Sequence, residues 1–318
     1  MTLSRDELHR LERLRALFLD DERGAMSLAD YWRDDGDLAA YDSVLAERIG
    51  WKWDAVLDEC AARGMPRCDD ATILDFGCGT GVAARRFAAR FGAREVLMHD
   101  RSQRAMDFAV RRLAQQGNTA VRGLPRVEGV APDVLLVSHV LGEIDAREEA
   151  ALHELIGRST TLLIVEPGSR DISRRLSALR DSLRDRFTIL APCTHAAACP
   201  ALRRGDDWCH FFAPPPQKVF TDGDWARRAK ALGIDLRALP YSFLWATRAP
   251  RSVTDDDRSR LIGRARVETH RARFVTCDAH GLHDVEINKR HEPAAWRALK
   301  KHPETLRLWP PETAVEPD

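Results

Sequence analysis

Three glycines spaced two apart, at positions 77, 79 and 81, lie between a short apolar run (Ile73, Leu74, Phe76) and a helical pattern. Glycine has no Cβ, so such a loop can turn sharply and bring backbone N–H groups against a ligand. Asp75 precedes the first glycine, and Asp100 closes the next apolar segment, Glu95 to Asp100. A carboxylate at that second strand end is where nucleotide-binding sheets read ribose hydroxyls. A second set of reactive groups follows later. Cys193, Cys199 and Cys209 fall within seventeen residues, two of them beside prolines, with His195 and His210 alongside. Thiolates gathered in a loop are what a soft metal needs, and metal binding supplies the order that a loop without its own core lacks. A fourth ligand must come from elsewhere. Cys277, in RARFVTCDAHG, is the remaining cysteine outside the lead-in and the glycine loop. Four cysteines suit tetrahedral zinc or a four-iron cluster equally, and packed thiols without metal are the competing reading.

The elements that must position these groups alternate. Strands are expected at 71–76, 95–100, 119–122, 133–138 and 161–166, with helices at 82–91, 102–116, 145–157 and 170–186. Strands separated by helices make a parallel, doubly wound α/β sheet. Ligands of such sheets lie beyond the carboxyl ends of the strands, which collects Asp75, Asp100, the Ser138-His139 turn and Glu166-Pro167-Gly168 on one rim. The spacing D-x-G-x-G-x-G, Asp75 to Gly81, is similar to the first motif of class I S-adenosylmethionine-dependent methyltransferases rather than to the dinucleotide fingerprint. A dinucleotide site or a purely structural turn is the alternative. The cofactor-side candidates are Asp75, Gly77, Gly79, Gly81, Asp100 and Ser138. The helix at 170–186 carries Arg170, Arg174, Arg175, Arg180 and Arg184 beside an apolar stripe, read as a solvated face that can also meet nucleic-acid phosphate.

A chain of 318 residues can bury one large core or two smaller ones. Its 44% hydrophobic and 31% charged content is that of a soluble globular protein, with no apolar run long enough to span a membrane and no apolar signal core near the N-terminus. Cytoplasm is the expected location. Seven unevenly spaced cysteines speak against a secreted disulfide framework. The net charge of zero conceals an asymmetry: residues 1–70 hold 17 Asp/Glu against 10 Lys/Arg, and residues 258–307 hold 12 Lys/Arg against 6 Asp/Glu, with five histidines. The basic end can therefore meet polyanions.

Ser4-x-x-Glu7 is a capping-box signature ahead of Leu8, Leu11, Leu14 and Phe18, so an amphipathic helix opens the chain. A second helical region covers 38–62. Trp51 and Trp53 within it are read as core rather than as base-stacking rings, and Cys60 and Cys68 as unreactive. The expected organisation is an N-terminal helical region (1–70), the Rossmann-like domain (71–190), the cysteine-rich loop with the last strands of the sheet (191–250), a basic β module with a C-terminal helix (251–309) and a disordered tail (310–318). In the β module a hairpin turns near His280-Gly281. Arg264, Arg266, Arg271, Arg273, Lys289 and Arg290 line its strands, followed by Trp296, Arg297, Lys300 and Lys301, a combination suited to RNA.

Taken together, DFGCGTG, SHVLGEI, EPG, PCTH-x3-CP and DWCHF, with the later basic hairpin that holds Cys277, resemble the Rsm22 family of mitochondrial small-ribosomal-subunit methyltransferase-like proteins and their bacterial relatives, over about residues 30–300. The resemblance implies a class I methyltransferase fold, S-adenosylmethionine binding, action on the small ribosomal subunit and its rRNA in the company of ribosomal proteins, and a four-iron, four-sulfur cluster. The implied ligands are Cys193, Cys199, Cys209 and Cys277, with His195 and His210 next to the cluster or facing RNA. No catalytic residue is assigned. After the fourth strand stands Ser138-His139-Val140-Leu141-Gly142-Glu143 rather than the Asn/Asp-Pro-Pro-aromatic turn of amino-methylating enzymes, and Pro192-Cys193 lies past the fifth strand, where it is committed to metal. His139 and Glu143 are the acid/base candidates, against a reading in which they pack and cap the next helix. The alternatives are a catalytically inactive RNA-binding assembly factor and a small-molecule methyltransferase with a structural zinc.

Overall fold

The computed structural model describes residues 4–18, 31–117, 119–203, 205–237, 239–249, 258–301 and 307–310. The tail from 311, expected to be disordered, lies outside them. The chain forms two compact units, one of residues 1–166 with 213–239, the other of 167–212 with 240–318.

In the first unit the capping box forms as expected. The Ser4 hydroxyl accepts the Glu7 N–H at 3.1 Å, and the Glu7 carboxylate accepts the Ser4 N–H at 2.7 Å, which starts helix α1 (Arg5–Phe18). Leu14 of this helix packs with Trp32, Leu38, Ala105 and Phe108. Helices α2 (Asp35–Tyr41) and α3 (Glu47–Ala62) are joined by a wider π turn at Asp42–Ala46, with helical backbone angles at both junctions. Trp51 and Trp53 are buried in the core.

Strands β1 (Thr72–Phe76), β2 (Glu95–His99), β3 (Ala120–Gly123), β4 (Val134–Ser138) and β5 (Thr161–Pro167) alternate with helices α4 (Val82–Phe91), α5 (Gln103–Ala114) and α6 (Ala146–Arg158). The strands pair in parallel in the order β3-β2-β1-β4-β5. Ile73, Leu74, Leu135, Leu136, Leu162, Leu163 and Ile164 are fully buried, because a parallel sheet covered on both faces needs apolar side chains on both. The chain winds outward from β1 to β3, then restarts at β4 on the other side of β1. The order therefore reverses between β1 and β4, and a crevice opens at their carboxyl ends.

The second unit begins with α7 (Arg170–Leu183) and continues through β6 (Thr188–Ala191), the cysteine-bearing loop and β7 (Phe211–Phe212). β6 and β7 each pair antiparallel with β8 (Pro240–Thr247). The intervening helices α8 (Lys218–Thr221) and α9 (Gly223–Leu232) belong to the first unit, where Trp225 meets Trp51 at 4.8 Å between ring centroids. The β module is a four-stranded antiparallel sheet of β9 (Ser259–Val267), β10 (Arg271–Cys277), β11 (Leu282–Asn288) and β12 (Leu308–Trp309), in the order β11-β10-β9-β12, with α10 (Pro293–Lys301). Its hairpin turns where expected, with the Asp278 carboxylate accepting the His280 and Gly281 N–H groups.

Two sequence expectations change here. Trp296 is buried with Phe274, Ile287 and Leu299, and Lys289 and Lys300 lie over its ring at 4.6 and 5.0 Å. It is a core residue covered by lysines rather than a ring offered to RNA. The arginines of α7 are not simply a solvated face either. Arg174 donates to the carbonyls of Ala201, Leu202 and Asp207, and Arg180, 3% exposed, donates to those of His195 and Ala197. A loop with no ladder partners of its own leaves carbonyls to be satisfied, and α7 satisfies them.

Candidate cofactor crevice and thiol cluster

At the end of β1 the chain turns through Gly77, Gly79 and Gly81, with φ of +70°, +50° and +77°. The N–H groups of Gly77 and Cys78 donate to the His99 carbonyl at 2.8 and 2.9 Å, so the loop is fastened to the end of β2. The three glycines serve different ends. A Cβ at position 77 would lie 2.5 Å from Val140 Cγ2 and one at position 81 would lie 3.0 Å from Ala109 Cβ, whereas one at 79 would meet nothing within 4 Å. Positions 77 and 81 need glycine for packing. Position 79 faces open space, where a ligand can approach the backbone.

One carboxylate flanks that space and a second lies buried at the end of β1. Asp100 accepts the Gly79 and Ser102 N–H groups, each at 2.9 Å. A carboxylate offers about four acceptor sites, so capacity remains for ribose hydroxyls. Asp75 is fully buried; its Oδ2 accepts the Ala84 N–H at 3.1 Å, and its Oδ1 has no hydrogen-bond partner among the described residues, nor has Thr80 Oγ1. Burial pushes Asp75 up to about 7 and also raises Asp100. Buried polar atoms left over beneath a glycine loop fit a site completed by a polar ligand. Ser138 Oγ accepts the Trp53 indole N–H at 2.9 Å, so this candidate is already engaged as an acceptor. Glu166 Oε1 accepts the N–H groups of Val140 and Leu141 at 2.9 and 3.2 Å, fixing the turn after β4.

Several residues of this rim were not singled out in the sequence. Lys52 of α3 approaches His139, with Nζ 3.4 Å from Nε2. Burial holds Lys52 down to about 7, with Arg48 adding to the effect, and holds His139 well below its usual range. Glu143 is pushed up to about 7 by burial and by Asp100, and Tyr31 and Tyr41 are raised by burial and by Glu143. Residues 31, 41 and 52 belong to no motif. The one sequence signal was a lysine between two core tryptophans, Trp51-Lys52-Trp53.

The second unit brings the four cysteines into one neighbourhood. Burial, then the like charge of Cys193, Cys199 and Cys277, pushes the Cys209 thiol well up. Cys277 is raised in the same way by burial, Cys193 and Cys199. Among the described residues, no three His, Cys, Asp or Glu side chains are placed to hold one metal ion. His195 Nε2 lies 3.9 Å from Cys277 Sγ. His210 stacks on Trp208 at 4.7 Å, and its Nδ1 lies 3.1 Å from the Trp208 carbonyl oxygen. Asp181 accepts the Cys199 N–H through both oxygens at 3.0 Å. Cys60 is fully buried, and Cys68 lies half-buried near the start of β1; neither joins the set.

The family model for the mitochondrial small ribosomal subunit protein Rsm22 matches residues 45–303, over four-fifths of the chain and both units. The chain belongs to the Rsm22 family. No curated protein sequence matches it. Among solved structures it is similar to a putative RNA methyltransferase from Pyrococcus horikoshii, at 11% identity and a TM-score of 0.39, covering 62% of this chain and 83% of that one. It is also similar to the magnesium protoporphyrin IX methyltransferase of Synechocystis PCC 6803 with bound S-adenosylhomocysteine, at 14% identity and a TM-score of 0.41, covering 77% of this chain and all of that one. In this Rsm22-family chain the first unit is a doubly wound α/β domain, with a parallel strand order and a glycine loop after β1. Among the described residues no helix is long and apolar enough to cross a membrane.

Proposed function

We propose that this chain is an S-adenosylmethionine-dependent, methyltransferase-like protein of the cytoplasm that acts on the small ribosomal subunit through its rRNA, and that it carries a four-iron, four-sulfur cluster. The observation that carries the cofactor assignment is the open space beside the Gly79 backbone, whose N–H is held by Asp100. There Asp100 would take the ribose hydroxyls, Asp75 would hold the loop and its polar ligand, and Gly79 would allow close approach. The bound cofactor supplies an electrophilic methyl group.

Cys193, Cys199, Cys209 and Cys277 would hold the cluster. A single zinc ion draws its sulfurs to about 2.3 Å from one centre, whereas the thiolates of a cluster each bind a different iron and stand further apart. The like charge of Cys193 and Cys199 acts on both Cys209 and Cys277, which supports one site shared by the four thiols, and the choice of the cluster over zinc rests on the family. Arg180 would offset part of its negative charge, since it is buried and lies near Cys193 and Cys199. The rRNA reading rests on the family and on the basic β module.

Two measurements test the proposal. Calorimetric titration is expected to show S-adenosylmethionine binding that Gly79→Arg abolishes. Protein purified without oxygen is expected to be brown with four irons and four sulfides per chain, roughly the stoichiometry of one such cluster, and Cys209→Ser to bleach it while Cys68→Ser does not. A colourless, metal-free protein would refute the cluster, and no heat at high cofactor concentration would refute the cofactor site.

A further inference from the structure

His139 is the one non-glycine residue among those described with a left-handed backbone, at φ +57°. A histidine in that conformation is uncommon, and strain of this kind gathers where the surroundings enforce a functional geometry. The enforcing contacts are on both sides. The His139 N–H donates to the Val165 carbonyl at 2.9 Å, the following N–H groups are held by Glu166, and the preceding Ser138 is held by Trp53. This places the imidazole at the carboxyl end of β4, next to the end of β1 where the glycine loop begins. Its side-chain neighbour is Lys52, partly buried one helical turn after Arg48 on α3. Among the described residues no carboxylate is ion-paired with Lys52. Glu166 is the acid that acts on it electrostatically, and its Oε1 already accepts two backbone N–H groups.

Evolved interiors rarely keep a lysine in such a place without an acidic partner, because desolvating an ammonium is costly. Here burial and Arg48 both act against the charged form, so the amine is available as a proton acceptor near neutral pH. The position next to the cofactor crevice is where a methyl acceptor must lie. A carbon acceptor of the cytosine C5 kind needs a thiolate nucleophile, and the first unit offers none: Cys60 is fully buried, and burial raises the Cys68 and Cys78 thiols. A nitrogen acceptor needs instead a group to take its surplus proton.

We propose that Lys52 and His139 form the proton-accepting pair of a methyl-acceptor site, serving a nitrogen nucleophile of a nucleobase. The acceptor nitrogen forms its bond to the methyl carbon as the carbon–sulfur bond breaks. The electron pair of that bond stays on sulfur, and the nitrogen's surplus proton passes to Lys52 Nζ. His139, whose Nε2 faces that amine, orients it by accepting a hydrogen bond from the ammonium that forms. The proposal rests on the cofactor reading above and deepens it, by naming the residues on the acceptor side.

A lysine beside the reacting sulfur can be detected without turnover, because S-adenosylmethionine carries a sulfonium charge and S-adenosylhomocysteine does not. Both ligands are titrated calorimetrically into the full chain between pH 6 and 9. The charged groups around the amine are Arg48 on α3, His139 after β4 and Glu166 on β5. Lys52 is held at about 7, and on the same rim Glu143 and Asp75 are pushed up to about 7, so the share of the pH dependence due to the amine is the share that a Lys52 substitution removes. As the pH rises through about 7 the ammonium is lost and its repulsion with it. Affinity for S-adenosylmethionine relative to S-adenosylhomocysteine is then expected to rise roughly tenfold, the order expected for two unit charges several ångströms apart in a protein environment. Lys52→Met should raise the ratio most at pH 6, where the parent amine is charged, and Lys52→Arg, permanently charged, should lower it most at pH 9, while the carboxyls Glu143 and Asp75 titrate alike in all three proteins. His139→Gly should fold at least as well as the parent, since glycine accepts the left-handed backbone, and should lose methyl transfer to small-subunit rRNA. A ratio unmoved by either Lys52 substitution at any pH, with both ligands bound, overturns the pair and leaves the cofactor site standing. Failure of both ligands to bind overturns the cofactor reading and this inference with it.

Discussion

Substituting alanine at Gly77 and at Gly79 separates two roles that a glycine-rich motif merges. Both positions have positive φ, so each alanine incurs the left-handed cost of about 1–2 kcal/mol. At 77 the new methyl would also lie 2.5 Å from Val140 Cγ2, a contact that forces Val140 or the β1 turn to move, at about 1–3 kcal/mol. At 79 no such overlap exists. Gly77→Ala is therefore expected to destabilise the protein by about 2–5 kcal/mol, and Gly79→Ala by about 1–2 kcal/mol. Urea unfolding followed by tryptophan fluorescence reads the difference. Val140→Ala supplies the control. Alone it costs stability by removing buried methyl groups, but with Gly77→Ala it relieves the overlap, so the two changes should couple favourably by about 1 kcal/mol or more. Equal losses at 77 and 79, or strict additivity of Gly77→Ala with Val140→Ala, would show that the loop does not pack against Val140 as described.

Two further outcomes follow from charge. The Asp75 carboxyl titrates at about 7 in the folded chain, above its unfolded value near 4, so the stability linked to its protonation is complete below about pH 4 and lost as the pH rises to 7. Asp75→Asn should therefore gain stability over the parent, by more at pH 8 than at pH 5, while losing cofactor affinity; a difference independent of pH in parallel denaturation series would refute the raised carboxyl. Charge reversal at Arg271, Arg273 and Lys289 should weaken rRNA binding and flatten its salt dependence, but by fewer than about three counterions, because Arg271 and Arg273 are already paired with Glu268 and Glu286. Filter binding across a salt series checks this, and an unchanged slope would place the RNA surface elsewhere.

Much of the first unit was legible in the sequence, for physical reasons. A parallel strand buried on both faces must be a short, continuous apolar run, and each helix between strands must show an apolar stripe, so β1 to β5 and α4 to α6 could be read to within two residues of their ends. The Ser4–Glu7 cap and the turn at His280-Gly281 were equally visible, because both are local chemistry. The family was legible in the same way, through motifs that stand close together in the chain. What only the tertiary structure decided are contacts between residues far apart in sequence. That Trp296 is core, that Arg174 and Arg180 hold loop carbonyls, and that Lys52 meets His139 across 87 positions depend on which faces the folded chain brings together. Even the three glycines, identical in the sequence, become different residues once Val140, Ala109 and open space are set against them.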